Sequence, residues 1–166
     1  QLVVHARSPA VFQHLLAFVR AWAQQVGLYG QVFGYLGGYS WAILCAHACN
    51  SFLSPIESLA SIEHLSVDDF YALVHTFFLT FATFNWPIQA LRLHAKSAKT
   101  LARGDRASVQ SRGSMRIISP CPPYHNTARS TIDSTRDLIA RGFERVVELL
   151  NSVNSTTSEE KSAALQ

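Results

Sequence analysis

The 166 residues suffice for one domain with a substantial core. Only 15% are charged, against roughly a quarter in a free-standing soluble domain, so part of the apolar surface is expected to face another domain. A net charge of +3 permits a polyanionic partner without requiring one, and the odd set Cys45, Cys49 and Cys121 forms no disulfide framework and points to a reducing compartment. Nothing resembles a signal peptide, and the start at Gln1 rather than Met reads as a fragment of a longer chain.

Ser8-Pro9 reads as a helix start, with serine as N-cap and proline at the first helical position. Val11, Leu15, Phe18, Trp22 and Val26 then recur at helical spacing up to a stop at Gly27, which predicts a helix over 9–26. Tyr29 to Gly38 is punctuated by glycine and predicts a turn feeding a second helix over 39–51. Ser54-Pro55 opens a short helical piece. Ser66 then starts a third long helix running to about Phe84, with Asp68 and Asp69 in its first turn, where they complement the helix dipole. Its apolar window, Phe70 to Phe84, is too short to span a bilayer, so no membrane partner is expected.

Trp86-Pro87 closes that helix. Residues 93–114 lose the apolar pattern and read as a long basic loop. Met115 to Pro123 (MRIISPCPP) reads as an extended segment laid against the core. Ser134 is expected to cap a last helix over 135–153, with Leu138, Ile139, Phe143, Val146, Val147 and Leu150 on one face. Residues 154–166 read as a frayed polar tail. The expected fold is mainly α, a bundle of four to five helices.

Several chemistries find little support. Cys45 and Cys49 share a helical face, but His47 does not, and no second pair completes a tetrahedral metal site. The other histidines, His5, His14, His64, His75, His94 and His125, accompany no nucleophile motif. Asp68 and Asp69 suit capping better than two-metal chemistry. No catalytic residue and no metal ligand is therefore expected within the chain.

Gly37-Gly38 before a helix start could present backbone N–H groups to a phosphate, with Arg20 and Tyr29 placed to point toward the same terminus. Taken alone this signal is weak, and a helix that merely starts after a tight turn is the favoured reading of the glycines. The basic stretch from Arg92 to Arg116, with Lys96, Lys99, Arg103 and Arg106 inside it, suits either RNA phosphates or a solvated loop. It holds few aromatic residues for stacking bases.

These local features meet a family pattern. Arg20 to Tyr29 (RAWAQQVGLY) resembles K-x-W-A-x-x-x-G-I-Y of eukaryotic poly(A) polymerases, and Gly30 to Ala42 (GQVFGYLGGYSWA) resembles their N-V-F-G-F-L-G-G-V-S-W-A block. Val74 to Phe78, Asn85-Trp86-Pro87 and Met115 to Pro120 are similar to V-x-x-F-F, W-x-W-P and M-P-I-I-T-P. Asn126 and Ser134-Thr135-Arg136 fall at the spacing of N-S-T and S-T-R.

The resemblance implies the helical central domain of a polynucleotide adenylyltransferase, over residues 1–153, with 154–166 as tail or linker. It implies ATP as substrate and Mg2+ or Mn2+ held by a catalytic domain that this chain lacks, so the fragment alone is expected to be inactive. By position, Arg20 stands where the family's lysine meets the ATP phosphates, and Tyr29 where its tyrosine bonds near the triphosphate. Gln31 replaces an asparagine that holds the nucleotide, Gly37 and Gly38 match the pair approaching it, and Tyr39 replaces a valine. The implied partners are an RNA 3′ end, a catalytic and an RNA-binding domain of the same polypeptide, and polyadenylation factors, in the nucleus. Two alternatives stand beside this reading: an inactive RNA- or protein-binding scaffold, and a related transferase with another nucleotide preference, which Gln31 and Tyr39 leave open.

Overall fold

The computed structural model describes residues 8–53, 66–93, 113–122 and 124–163, with no account of the side chains of Leu53 and 154–163. The short helical piece at Ser54-Pro55, most of the basic loop, and Lys96, Lys99, Arg103 and Arg106 lie outside the described residues.

Four α-helices carry the described fold: α1 over Pro9–Gln25, α2 over Gly38–Leu53, α3 over Val67–Ala82 and α4 over Asp133–Ala163. The mainly α expectation holds. α2 lies between α1 and α3, and α3 packs along α4.

α1 begins at Ser8-Pro9 as expected, although the Ser8 side chain makes no capping bond. Its buried stripe is Val11, Leu15, Val19 and Ala23 with Phe12, while Phe18 and Val26 lie exposed at 43% and 50%. Both rows are apolar, and the position of α2 selected which one turned inward. The helix stops by a Schellman arrangement: Leu28 N–H donates to Ala23 O at 2.8 Å and Gly27 N–H to Gln24 O at 3.2 Å. Gly27 takes the left-handed conformation, φ 75°, that this stop requires.

α2 begins at Gly38 itself, one residue before the expected start, and runs to Leu53. Trp41, Ile43, Leu44, Cys45, Ala46, Ala48 and Cys49 are all fully buried, so this helix is apolar nearly all round because neighbours enclose it. The Ser66 hydroxyl caps α3, accepting from Asp69 N–H at 3.1 Å and bonding its carboxylate at 2.6 Å. α3 ends at Ala82, short of Phe84, and Trp86 folds back to donate to Phe81 O at 3.1 Å. Tyr71 Oη to Leu150 O (2.8 Å) and His75 Nε2 to Asn151 Oδ1 (3.0 Å) tie α3 to α4.

α4 departs from expectation at both ends. It starts at Asp133, so Ser134 sits in the first turn and does not cap it; Thr135 Oγ1 instead accepts from Ile132 N–H at 3.0 Å. It continues to Ala163 rather than fraying after 153. Ile139 and Phe143 face the core, while Leu138 is exposed at 40%. At the centre, Trp22, Trp41, Phe77, Phe78, Phe81 and Phe143 form one cluster of mainly edge-to-face contacts.

The extended segment after the basic loop is as expected laid on the core, with Met115, Ile117 and Ile118 buried. It adds a feature the weak strand signals did not predict. Strand β1, Ala90–Leu91, pairs in parallel with β2, Arg116–Ile117, and Arg116 donates to the carbonyls of Pro87 and Ile88. This pairing brings residues 115–122 and 124–131 beside the start of α2.

Candidate functional site

The segment after β2 is built around two buried polar residues. Asn126 Oδ1 accepts from Ile117 N–H and Ala128 N–H, each at 3.0 Å, and its Nδ2 donates to Met115 O at 2.9 Å. Thr127 N–H and Oγ1 both bond Ile117 O, at 2.8 and 3.0 Å. Backbone groups that would otherwise be buried without partners are thereby satisfied, which fixes the Thr127 carbonyl in one orientation.

That carbonyl is where the turn before α2 and the segment after β2 meet. Gln31 Nε2 donates to Thr127 O at 2.8 Å, and Ser40 Oγ lies 3.2 Å from the same oxygen and 2.9 Å from Thr127 Oγ1. Tyr39 Oη sits 3.1 Å from Ser119 Oγ. A pocket of about 220 Å³ opens among Gln31, Tyr39, His125, Asn126, Thr127 and Arg129.

Gly37 and Gly38 act as ledges beneath this arrangement. A Cβ on Gly37 would come within 2.9 Å of Gln31 Cγ, and one on Gly38 within 2.8 Å of Tyr29 Oη. Tyr29 therefore lies directly over the first residue of α2, and the Arg20 guanidinium stands 5.9 Å from its ring centre. The six nucleotide-site candidates thus converge on the start of α2 in two linked groups. Arg20, Tyr29 and Gly38 form one; Gln31, Gly37 and Tyr39 form the other. His125, Thr127 and Arg129 line the pocket beside the second group and were not predicted; of the added lining residues only Asn126 carried a signal, through its family spacing.

The remaining reactive side chains are held elsewhere. Burial raises the Cys45 thiol well above its ordinary range and pushes Cys49 up to about 12, so both stay protonated core groups. Desolvation lowers the pKa of half-buried His47, which packs against Phe81. Among the described residues no three His, Cys, Asp or Glu gather as metal ligands, and no helix is long and apolar enough to cross a membrane.

One edge of the helical domain thus brings together a cation, a phenol and a glycine-started helix. The poly(A) polymerase central domain family model matches residues 11–164. The chain belongs to that family. It is 28% identical over 149 residues to poly(A) polymerase PAPa of Candida albicans, covering 88% of this chain and 24% of that protein. It is likewise 28% identical over 152 residues to nuclear poly(A) polymerase 1 of Arabidopsis thaliana, covering 89% of this chain and 19% of that one. The fold resembles a solved structure described as a cytoplasmic RNA terminal U-transferase, with a TM-score of 0.63 at 20% identity, over 86% of this chain and 54% of the other. The chain spans about a quarter or less of the length of these curated relatives.

Proposed function

We propose that this chain is the central domain of a nuclear polynucleotide adenylyltransferase that adds AMP from ATP to RNA 3′ ends. The observation that carries the reading is the convergence of Arg20, Tyr29 and the Gly37-Gly38 ledge on the N-terminus of α2. A helix N-terminus with a cation and a hydroxyl beside it favours the charge that builds on a triphosphate during adenylyl transfer. Arg20 and Tyr29 take the triphosphate, while Gln31 and Tyr39, held against Thr127 and Ser119, border the rest of the nucleotide.

Mg2+ or Mn2+ polarises the phosphates and activates the attacking 3′-hydroxyl when bound. The described residues do not suit it: no three His, Cys, Asp or Glu among them gather as ligands, Asp69 is engaged by Ser66, and Asp133 and Asp137 pair with Arg136 at 2.8 Å each. We therefore place the metals in a catalytic domain outside these residues, so that this chain alone neither polymerises nor holds ATP tightly. The domain is drawn over 1–153 with 154–166 as a connecting segment. Lys96, Lys99, Arg103 and Arg106 serve as diffuse RNA contacts, and the catalytic domain, an RNA-binding domain and polyadenylation factors are the protein partners.

The test uses the longer polypeptide that carries the catalytic domain. Arg20→Ala is expected to raise the ATP KM by about 10- to 150-fold, in line with loss of one charge-assisted bond worth roughly 1.5–3 kcal/mol. Tyr29→Phe should raise it less. ATP use untouched by both substitutions would sink the site assignment, and absence of tailing by the unsubstituted polypeptide would favour a binding scaffold. Competition among the four nucleoside triphosphates then settles whether Gln31 and Tyr39 keep the preference for ATP.

A further inference from the structure

Arg129 is the one lining residue shared by two adjoining hollows. The first is the 220 Å³ pocket of Gln31, Tyr39 and Thr127. The second, about 520 Å³, is lined by Gly113, Ser114, Arg129, Ser130, Thr131, Ile132 and Asp133. Arg129 is exposed and, among the described residues, makes no hydrogen bond or ion pair. Three other described arginines are engaged: Arg116 with the Pro87 and Ile88 carbonyls, Arg136 with Asp133 and Asp137, and Arg20 over Tyr29.

Arg20 and Arg129 stand on opposite sides of one bridge. From Arg20 the contacts run through Tyr29 to Gly38, then through Gly37 and Gln31 to the Thr127 carbonyl, two residues before Arg129. If Arg20 serves the triphosphate, Arg129 faces a different anion. The small pocket lies below the roughly 300–1,000 Å³ of whole-ligand sites, so it suits a base-sized part of a nucleotide. The larger hollow continues from it with hydroxyls and the start of α4. Its one carboxylate, Asp133, is neutralised by Arg136 at 2.8 Å and bonded by Ser114 Oγ at 2.6 Å.

We propose that the hollow from Arg129 to Asp133 takes a backbone phosphate of the acceptor RNA strand, with Arg129 as its cation. A planar guanidinium at the junction grips a phosphodiester with two parallel bonds and so sets the strand's end beside the incoming nucleotide. This inference rests on the adenylyltransferase reading.

The deciding experiment measures tailing by the longer polypeptide with ATP and a fluorescent oligoadenylate acceptor varied separately. Arg129→Ala is expected to raise the acceptor KM about tenfold and leave the ATP KM within about twofold. It should also reduce the slope of log acceptor affinity against log salt by about 0.7, the value for one single-strand phosphate. Arg129→Lys should recover most of the loss, with the melting temperature of both variants unchanged. An unchanged acceptor KM, or an ATP KM that rises equally, overturns the site while the adenylyltransferase reading stands. If the unsubstituted polypeptide transfers no AMP, that reading falls instead. Anisotropy of the same oligoadenylate on the 166-residue chain then decides the site: weaker binding by Arg129→Ala supports it, and equal or absent binding overturns it.

Discussion

The aromatic interior and the polar face beside it are held by opposite physics. The rings of Trp22, Trp41, Phe77, Phe78, Phe81 and Phe143 are secured by burial and edge-to-face packing, which tolerates small shifts. Even the buried Trp41 Nε1 has no hydrogen-bond partner among the described residues. Ser119, Asn126 and Thr127 are buried too, but each is placed by directional bonds to named backbone atoms. Packing supplies stability to the domain; hydrogen bonding supplies position to the Thr127 carbonyl on which Gln31 and Ser40 depend. Damage to the first should lower the whole domain's stability, and damage to the second should loosen one face.

The largest effect is expected at Phe143, whose ring meets Trp22, Trp41, Phe77, Phe78 and Phe81. Phe143→Ala should cost about 3–5 kcal/mol in denaturant unfolding, spread over all protected amides. Asn126→Ala orphans two buried N–H groups and one carbonyl, and should cost about 2–4 kcal/mol. Its signature is local: hydrogen exchange of residues 115–128 should quicken before that of α2 and α3. Global loosening in this variant instead would erase the distinction between the two regions.

A pH series probes the interior from another side. The folded state raises Cys49 from 9.0 to about 12, so the stability it contributes is complete below pH 9 and is lost as pH climbs toward 12. Cys49→Ala should flatten that alkaline fall in thermal melts. His47 acts with the opposite sign: its pKa is lowered from 6.5, so its contribution is present above pH 6.5 and lost on acidification. The smallest effect belongs to Tyr39→Phe, which removes one half-exposed bond to Ser119 and should cost about 0.5–1 kcal/mol. A larger loss would show that the polar face also supports the core.

The start of α1 at Ser8-Pro9, the stop at Gly27 and the Ser66 cap were legible because each is a local event, set by dihedral limits and bonds within a few residues. The Gly30 to Ala42 block likewise marked the candidate site, since close backbone approach leaves a glycine signature. The inward row of α1, by contrast, could not be read from periodicity, because Phe18 and Val26 fit the helical period as well as Val19 and Ala23. Only the placement of α2 separates those rows. α4 misled for a similar reason, as its polar continuation to Ala163 lacks the apolar face on which helix prediction relies.

The sequence by itself therefore determined the existence of the long helices, the Ser66 cap, the Gly27 stop and the family, through short-range chemistry and an ordered set of motifs. The tertiary structure decided which side chains share the site. Gln31 meets Thr127 across 96 positions and Tyr39 meets Ser119 across 80, because the parallel pairing of Ala90–Leu91 with Arg116–Ile117 brings the later segment to the start of α2. Contacts at that separation leave no periodic trace, and so Thr127, His125 and Arg129 became site residues only once the chain had folded.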